Sequence, residues 1–112
     1  MKILIVEPRK RPYESEIEDS LAAMQHVVGD SIEAIYPFSD PVAIVCNEEG
    51  KLIGLEPNRV MVDSQGHVYD IINGTFFVAG LTEDDFGSLS DELIQKYKSV
   101  FSGLFCVRGE TE

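Results

Sequence analysis

Three adjacent basic side chains stand near the start of a strongly acidic chain. Arg9, Lys10 and Arg11 account for three of the nine basic residues, against 20 acidic residues and a formal net charge of -11. Pro8 and Pro12 bracket the run and predict a loop. A few focused cations of this kind are what a binding module for an anionic ligand needs, because the rest of such a chain repels anions.

A second cationic position lies in the middle of the chain. Asn58 and Arg59 follow Pro57 and are predicted to lie on a loop. A guanidinium fork beside an amide can bind a phosphate or a carboxylate with two parallel hydrogen bonds. The alternative is that Arg59 and the basic run pair with the acids of the protein itself.

Aromatic and small polar residues complete the candidate site. Tyr13 and Tyr36 are expected to stack on a ligand. Asn73 and Thr75 flank Gly74, where glycine permits close approach by a ligand or by another strand, although a structural bulge explains it equally. The predicted ligand-binding residues are Arg9, Lys10, Arg11, Tyr13, Tyr36, Asn58, Arg59, Asn73 and Thr75.

Other kinds of chemistry find no support in the residue spacing. His26 and His67 each lack a ligand partner at metal-binding spacing, so no metal site is predicted. Cys46 and Cys106 lie among apolar residues and are interpreted as buried thiols of a cytoplasmic protein, in preference to a disulfide. No nucleophile elbow or phosphate-binding glycine loop occurs. No catalytic residue or cofactor is therefore proposed, and a small enzyme stays an alternative.

Short apolar runs predict the strands that hold these residues. The predicted strands are Lys2–Val6, 32–36, 41–46, 60–62, 67–71 and 74–80. Turns at 47–50 and 63–66 predict two hairpins, the first leading into 51–53 and the second joining 60–62 to 67–71.

Helical spacing appears in two segments. Ile17, Leu21, Met24 and Val28 predict a helix that begins after Tyr13 and ends at Gly29. A second helix is predicted from Ser88 or Ser90 to Gly103, with its apolar face formed by Leu89, Leu93, Tyr97, Val100 and Phe101. Thr82 is predicted to cap a single helical turn before it.

These elements predict an α+β fold. Five or six short strands joined mainly by hairpins favour a largely antiparallel sheet packed with two amphipathic helices. The length of 112 residues and the 44% hydrophobic content favour one globular domain, 1–112, with a frayed tail at 108–112. No apolar run is long enough for a membrane span.

The charge balance limits the partners. An excess of acids argues against direct binding to nucleic acid or to an anionic membrane. Acids cluster at residues 14–19 and 83–85, where they are explained either by helix starts or by mimicry of nucleic-acid phosphates. A hairpin-rich sheet also leaves edges at which copies of the chain could pair as a homo-oligomer.

Several segments together carry a family resemblance. They are residues 1–8, 11–14, 32–38, 47–51, 57–59 and 70–77. The chain resembles a family of small proteins with a domain of unknown function, met in phages, plasmids and conjugative elements of gut Gram-positive bacteria. The resemblance implies a setting in which small accessory proteins neutralise a host component.

The resulting hypothesis is a non-enzymatic, cytoplasmic binding protein of a mobile element. It would counteract host defence by sequestering an anionic small ligand such as a signalling nucleotide. The alternative partner is a host protein, if the chain is an acidic interaction module that occupies the nucleic-acid site of a host factor.

Overall fold

Strands outnumber helices in the computed structural model, which describes residues 1–104 and the backbone of 106–108. In this part of the chain, nine strands and two helices occur. They are β1 (Lys2–Val6), β2 (Tyr13–Glu16), α1 (Leu21–Val28), β3 (Ile32–Ile35), β4 (Val42–Asn47), β5 (Pro57–Val62), β6 (Val68–Asn73), β7 (Phe76–Leu81), β8 (Phe86–Gly87), α2 (Asp91–Val100) and β9 (Cys106–Arg108).

The strands form two sheets. The large sheet has the order β2-β1-β7-β4-β3, with β8 paired to β7, and all of its pairs are antiparallel. The small sheet has the order β6-β5-β9, in which β5 and β9 run parallel. The predicted α+β class with a mainly antiparallel sheet is confirmed, although the strands are more numerous than predicted and belong to two sheets.

The large sheet is covered on both faces, which explains its continuous apolar strands. Helix α1 covers one face; this core contains Ile3, Ile5, Met24, Val28, Val45, Phe77 and Ala79. Helix α2 and the small sheet cover the other; this core contains Leu4, Val6, Ile44, Met61, Ile72, Phe76, Val78, Ile94, Tyr97 and Phe101. The small sheet thus lies against the large sheet beside α2.

The predicted start of the first helix is wrong. Ser20 caps α1, its Oγ accepting from the N–H of Ala23 at 3.1 Å, and Gly29 ends the helix at a φ of 98° as predicted. The preceding segment is instead β2, which pairs with the outer edge of β1. The acids of β2 are therefore not helix-start residues, and the first turn of α1 contains no acid.

The second helix is predicted correctly, but the helical turn before it is not. Ser90 caps α2, and Asp91 and Glu92 occupy its first turn. Thr82 instead begins a tight turn between β7 and β8. Its N–H donates to Asp85 O at 2.8 Å, and its Oγ1 accepts from the N–H of Asp85 at 3.1 Å.

One of the two predicted hairpins exists. The turn at 63–66 joins β5 to β6, with Val62 paired to Val68. Residues 48–54 form turns and no strand, so the predicted hairpin into 51–53 is wrong. Both edges of β4 are already paired, to β3 and β7, which leaves no position for a returning strand.

Two other predictions fall largely outside the described residues. The thiol of Cys106 and the expected tail at 108–112 are not described, apart from the backbone of Arg108 at the end of β9. The thiol of Cys46 is free and buried.

Candidate functional site

The residues predicted to form one ligand site are distributed over several places. Asn58 and Arg59 do not lie on an exposed loop, as predicted, but within strand β5. Their exposed fractions are 3% and 0%. Pairing of β5 with β6 on one side and β9 on the other fixes this segment inside the fold.

The Arg59 guanidinium is hydrogen-bonded to oxygens of the protein itself. Its Nη1 donates to Asn58 Oδ1 at 2.6 Å and to Leu104 O at 3.3 Å. Its Nη2 donates to Lys10 O at 2.8 Å and to Phe101 O at 3.1 Å. No ion pair of Arg59 with a carboxylate occurs among residues 1–104.

The charge of Arg59 is nevertheless stabilised. Burial lowers the pKa of Arg59, but guanidinium groups stay protonated in proteins. Phe101 is the C-cap of α2, and the negative end of the helix dipole favours a cation there. Arg59 therefore links the basic run, through Lys10, to the end of α2, through Phe101.

Asn58 makes the complementary link. Its Nδ2 donates to Val6 O and to Gly74 O, both at 2.9 Å. The first acceptor ends β1, and the second lies between β6 and β7. The Asn58–Arg59 pair thus fastens the small sheet to the large sheet and to α2.

The basic run forms an exposed turn, and two of its three cations form ion pairs with acids of the chain. Arg9 has a left-handed φ of 59°, and its Nε lies 3.1 Å from Glu56 Oε2. Lys10 Nζ lies 3.5 Å from Glu7 Oε1. Arg11 is exposed, and no ion pair joins it to the rest of residues 1–104.

The two tyrosines have different surroundings. Tyr13 is 42% exposed and donates from its hydroxyl to Glu7 Oε2 at 2.5 Å. That hydrogen bond raises the pKa of Tyr13 to about 12 and, with help from Lys10, lowers the pKa of Glu7. Tyr36 is 61% exposed and lines a shallow depression with residues 81–86. The predicted pairing of these aromatics in one site is not seen.

The Asn73–Gly74 turn approaches another part of the chain. Gly74 has a φ of 82°, and a Cβ there would lie 2.7 Å from Leu55 Cδ1. Asn73 Nδ2 donates to Leu55 O at 2.9 Å. The left-handed φ and the contact with the side chain of Leu55, in the loop before β5, account for this glycine without a ligand or a neighbouring strand. Thr75 is half-buried between β6 and β7.

A groove of about 290 Å³ lies where β6 passes beside the β3–β4 side of the large sheet. We call it the intersheet groove. Its lining consists of Glu33 and Ile35 of β3, residues 46–48, residues 50–52 and residues 70–73. Of the predicted site residues, Asn73 alone belongs to this lining.

The groove is negatively charged. Glu33, Glu48 and Asp70 face a single lining cation, Lys51, whose Nζ lies 2.9 Å from Asp70 Oδ1. Burial, followed by the charges of Glu33 and Asp70, raises the pKa of the Cys46 thiol to about 11. This thiol is therefore a poor nucleophile at neutral pH.

Sequence reasoning missed the groove. Its walls come from strands β3, β4 and β6, and Glu33 on β3 is 37 positions from Asp70 on β6. The available signal was weak: each of these acids interrupts an otherwise apolar strand. An acid at such a position indicates one solvent-facing strand surface, but it does not indicate which strand lies opposite.

Neither a membrane-spanning helix nor a metal-binding cluster of side chains occurs among the described residues. None of the helices there is long and apolar enough to cross a membrane. Nor does any group of three or more His, Cys, Asp or Glu side chains in the same residues have a placement that could hold a metal ion.

Comparison with known families gives one match. The family described as Domain of unknown function (DUF3846) matches residues 1–102. The chain belongs to this family. The DUF3846 match extends from β1 past the end of α2, so it includes the Asn58–Arg59 pair and the intersheet groove. No curated protein matches the chain. No solved structure matches it either.

Proposed function

We propose that this DUF3846 protein is a non-enzymatic binding protein that recognises a positively charged partner protein. One observation carries the proposal: most of the nine basic residues serve the fold itself. Lys2, Arg9, Lys10, Lys51 and Lys96 form ion pairs with acids of the chain. Arg59 is buried against main-chain oxygens.

The acids outside these ion pairs make the surface negatively charged. Eight of them are exposed in three groups: Glu16, Glu18 and Asp19; Glu33 and Glu48; and Glu83, Asp84 and Asp85. Complementary charge speeds the encounter of two proteins and disfavours partners of like charge. A basic surface that normally binds nucleic acid is a suitable partner, because it is built to receive repeated negative charges.

The biological setting of the proposal rests on the family resemblance. We place the protein in the cytoplasm of a bacterium that carries a phage, plasmid or conjugative element. There it would block the nucleic-acid site of a host defence factor. A small acidic protein suits this role, because binding alone is sufficient to inhibit.

Sequestration of an anionic small ligand, the first hypothesis from the sequence, stays a prediction. Arg11 supports it, since this exposed cation has no ion pair with the rest of residues 1–104 and lies two positions from Tyr13. Arg59, in contrast, could meet a ligand only if its present hydrogen bonds were broken. The anionic-ligand hypothesis therefore depends on the basic run.

The test is recovery of the protein from cells that carry its native element, at low and at high salt. Native mass spectra before and after denaturation then give the composition of the complex. We expect a basic protein partner whose dissociation constant rises steeply between about 50 and about 300 mM salt, since salt screens exposed charges. A salt-insensitive complex would count against the proposal.

Other masses in the same spectra have distinct meanings. An extra mass typical of a small ligand, lost on denaturation, would support the anionic-ligand hypothesis. Multiples of the chain mass would show a homo-oligomer. In a separate substrate screen, turnover would support the alternative that the protein is a small enzyme.

A further inference from the structure

We propose that the partner docks in the intersheet groove and along β6, through an extended segment that carries both basic and apolar side chains. This inference rests on the proposed function, and it adds the site and the chemistry of the docking segment. It follows from three features of the groove: its strand edges, its exposed apolar side chains and its charge.

The strand edges come first. β6 ends the order of the small sheet and β3 ends that of the large sheet, so within the described chain neither has a strand on its outer side. Both contribute to the groove lining. An unpaired strand edge presents main-chain donors and acceptors to which an extended peptide can add as a further strand.

A local hydrogen bond occupies one main-chain donor on the edge of β6. Asp70 Oδ1 accepts from the N–H of Ile71 at 2.8 Å and from Lys51 Nζ at 2.9 Å. A carboxylate of the chain thus occupies a main-chain donor of the edge. A docking strand would supply a carbonyl oxygen to Ile71, and its basic side chain would replace Lys51 beside Asp70.

Apolar side chains adjoin this edge. On β6, Val68, Tyr69 and Ile71 are 58%, 43% and 37% exposed, and Leu52 in the groove lining is 85% exposed. Clusters of exposed apolar side chains bordered by polar residues are typical of interaction sites. An extended segment that alternates apolar with basic residues matches this arrangement, because its side chains point alternately to opposite faces.

The charge of the groove selects a basic partner over a second copy of the chain. Glu33 and Glu48 have no ion pair with other residues in the 1–104 range, and Lys51 is already paired. Two copies would bring together surfaces of a chain with a net charge of -11. Like charges across an interface oppose association, whereas lysine or arginine side chains would neutralise these carboxylates.

The test uses a short synthetic peptide in which valine alternates with lysine and arginine. Its matched control replaces lysine by glutamine and arginine by citrulline. We expect amide NMR shifts of residues 69–73 and of the groove lining with the basic peptide, and a much smaller response with the neutral one. Shifts confined to β2 or to residues 83–85 would overturn the inference.

Variants of the groove residues test the same inference. The double variant Glu33→Gln, Glu48→Gln should bind the basic peptide about fivefold more weakly, because two exposed charge pairs are lost. Glu16→Gln with Glu18→Gln removes the same charge from the β2 edge and should change binding less than about twofold. Leu52→Gln, at a position too exposed to affect folding, should also weaken binding. Equal effects of the two acid pairs would overturn the inference.

Binding of the native partner distinguishes a failure of this inference from a failure of the proposed function. A salt-sensitive partner that binds the Glu33→Gln, Glu48→Gln variant as well as wild type would overturn the groove assignment and leave the proposed function intact. A partner bound without salt dependence would overturn both. Self-association of the chain that Leu52→Gln abolishes would assign the groove to a second copy and overturn the inference.

Discussion

Arg59 donates a hydrogen bond of 2.6 Å to the side-chain oxygen of its own neighbour, Asn58. The contact holds two consecutive buried polar side chains in fixed orientations, so that each can satisfy main-chain oxygens from other elements. Arg59 reaches Lys10 and Phe101, and Asn58 reaches Val6. The pair therefore behaves as one polar unit at the centre of the fold.

Arg59→Lys should destabilise the protein strongly. A single ammonium cannot reach the acceptors of both Nη1 and Nη2, so buried oxygens would lose their donors. We expect the free energy of unfolding to fall by about 2 to 4 kcal/mol, measured by urea unfolding followed by circular dichroism. Arg11→Lys, at an exposed position, should change it by less than about 0.5 kcal/mol. Superimposable unfolding curves for wild type and Arg59→Lys would show that the guanidinium network is not needed.

Gly74→Ala should cost more than Gly66→Ala, although both glycines have positive φ. Gly66 has a φ of 86° with nothing within 4 Å of the position that a Cβ would take, whereas a Cβ on Gly74 would meet Leu55 at 2.7 Å. We expect about 1 to 2 kcal/mol of backbone strain at Gly66. Crowding should add about 1 to 3 kcal/mol at Gly74. Thermal unfolding of both variants measures the difference; equal losses would mean that Leu55 moves aside freely.

Asp63 should contribute stability that disappears in acid. The main-chain N–H groups of His67 and Gln65 donate to its carboxylate and lower its pKa below the ordinary aspartate value. A group whose pKa is lower in the folded state stabilises fully above the unfolded pKa, about 3.9, and stops doing so as the pH falls through the folded pKa. The advantage of wild type over Asp63→Asn should therefore be largest near neutral pH and vanish near about pH 2.

Urea midpoints measured at steps between about pH 7 and about pH 2 check this dependence. Glu18→Gln, which removes one charge from an exposed loop, is the control for a general effect of net charge. An advantage over Asp63→Asn that stays constant with pH would contradict the prediction.

Cys46 should react slowly with thiol reagents in the folded protein. Its pKa of about 11 leaves very little thiolate at pH 8, so labelling should be at least about a hundredfold slower than in urea. The Cys106→Ser background makes Cys46 the reporting thiol. Glu33→Gln should raise the rate, because the Glu33 charge contributes to the raised pKa, and Glu18→Gln should not. Fast labelling of the folded protein would refute the buried, negatively charged setting of this thiol.

Local sequence signals predicted some of the elements that local interactions determine. The Asp63 turn uses a side chain close in sequence to the groups it bonds, and Ser90 is one of the two predicted helix starts, Ser88 or Ser90. The Ser20 cap and the Thr82 turn are equally local, but the first is not predicted and the second is predicted as a helical turn. The segment 14–16 is predicted to be helical because Ile17 continues the spacing of α1. Its structure is decided instead by the open edge of β1, which no local pattern reveals.

The sequence indicates that Asn58 and Arg59 offer hydrogen-bonding groups, but it does not indicate where they lie. Arginine is rarely buried without an acidic partner, so Arg59 was expected at the surface. Apart from Asn58 Oδ1, its acceptors are main-chain oxygens, which every residue has and which therefore leave no trace in the sequence. The groove likewise depends on how two sheets pack, and its acids gain meaning only when Glu33 and Asp70 face the same space.

The position of the Asn58–Arg59 pair also has a consequence for synthesis of the protein. Its acceptors on Val6 and Lys10 emerge from the ribosome long before it, and those on Phe101 and Leu104 long after it. Strand β5 therefore cannot complete its polar contacts until Phe101 and Leu104 have been synthesised. Such distant contacts also slow folding, because they close long loops. We expect nascent chains that stop before α2 to stay accessible to proteases, and protection to appear once α2 and residues 101–104 have emerged.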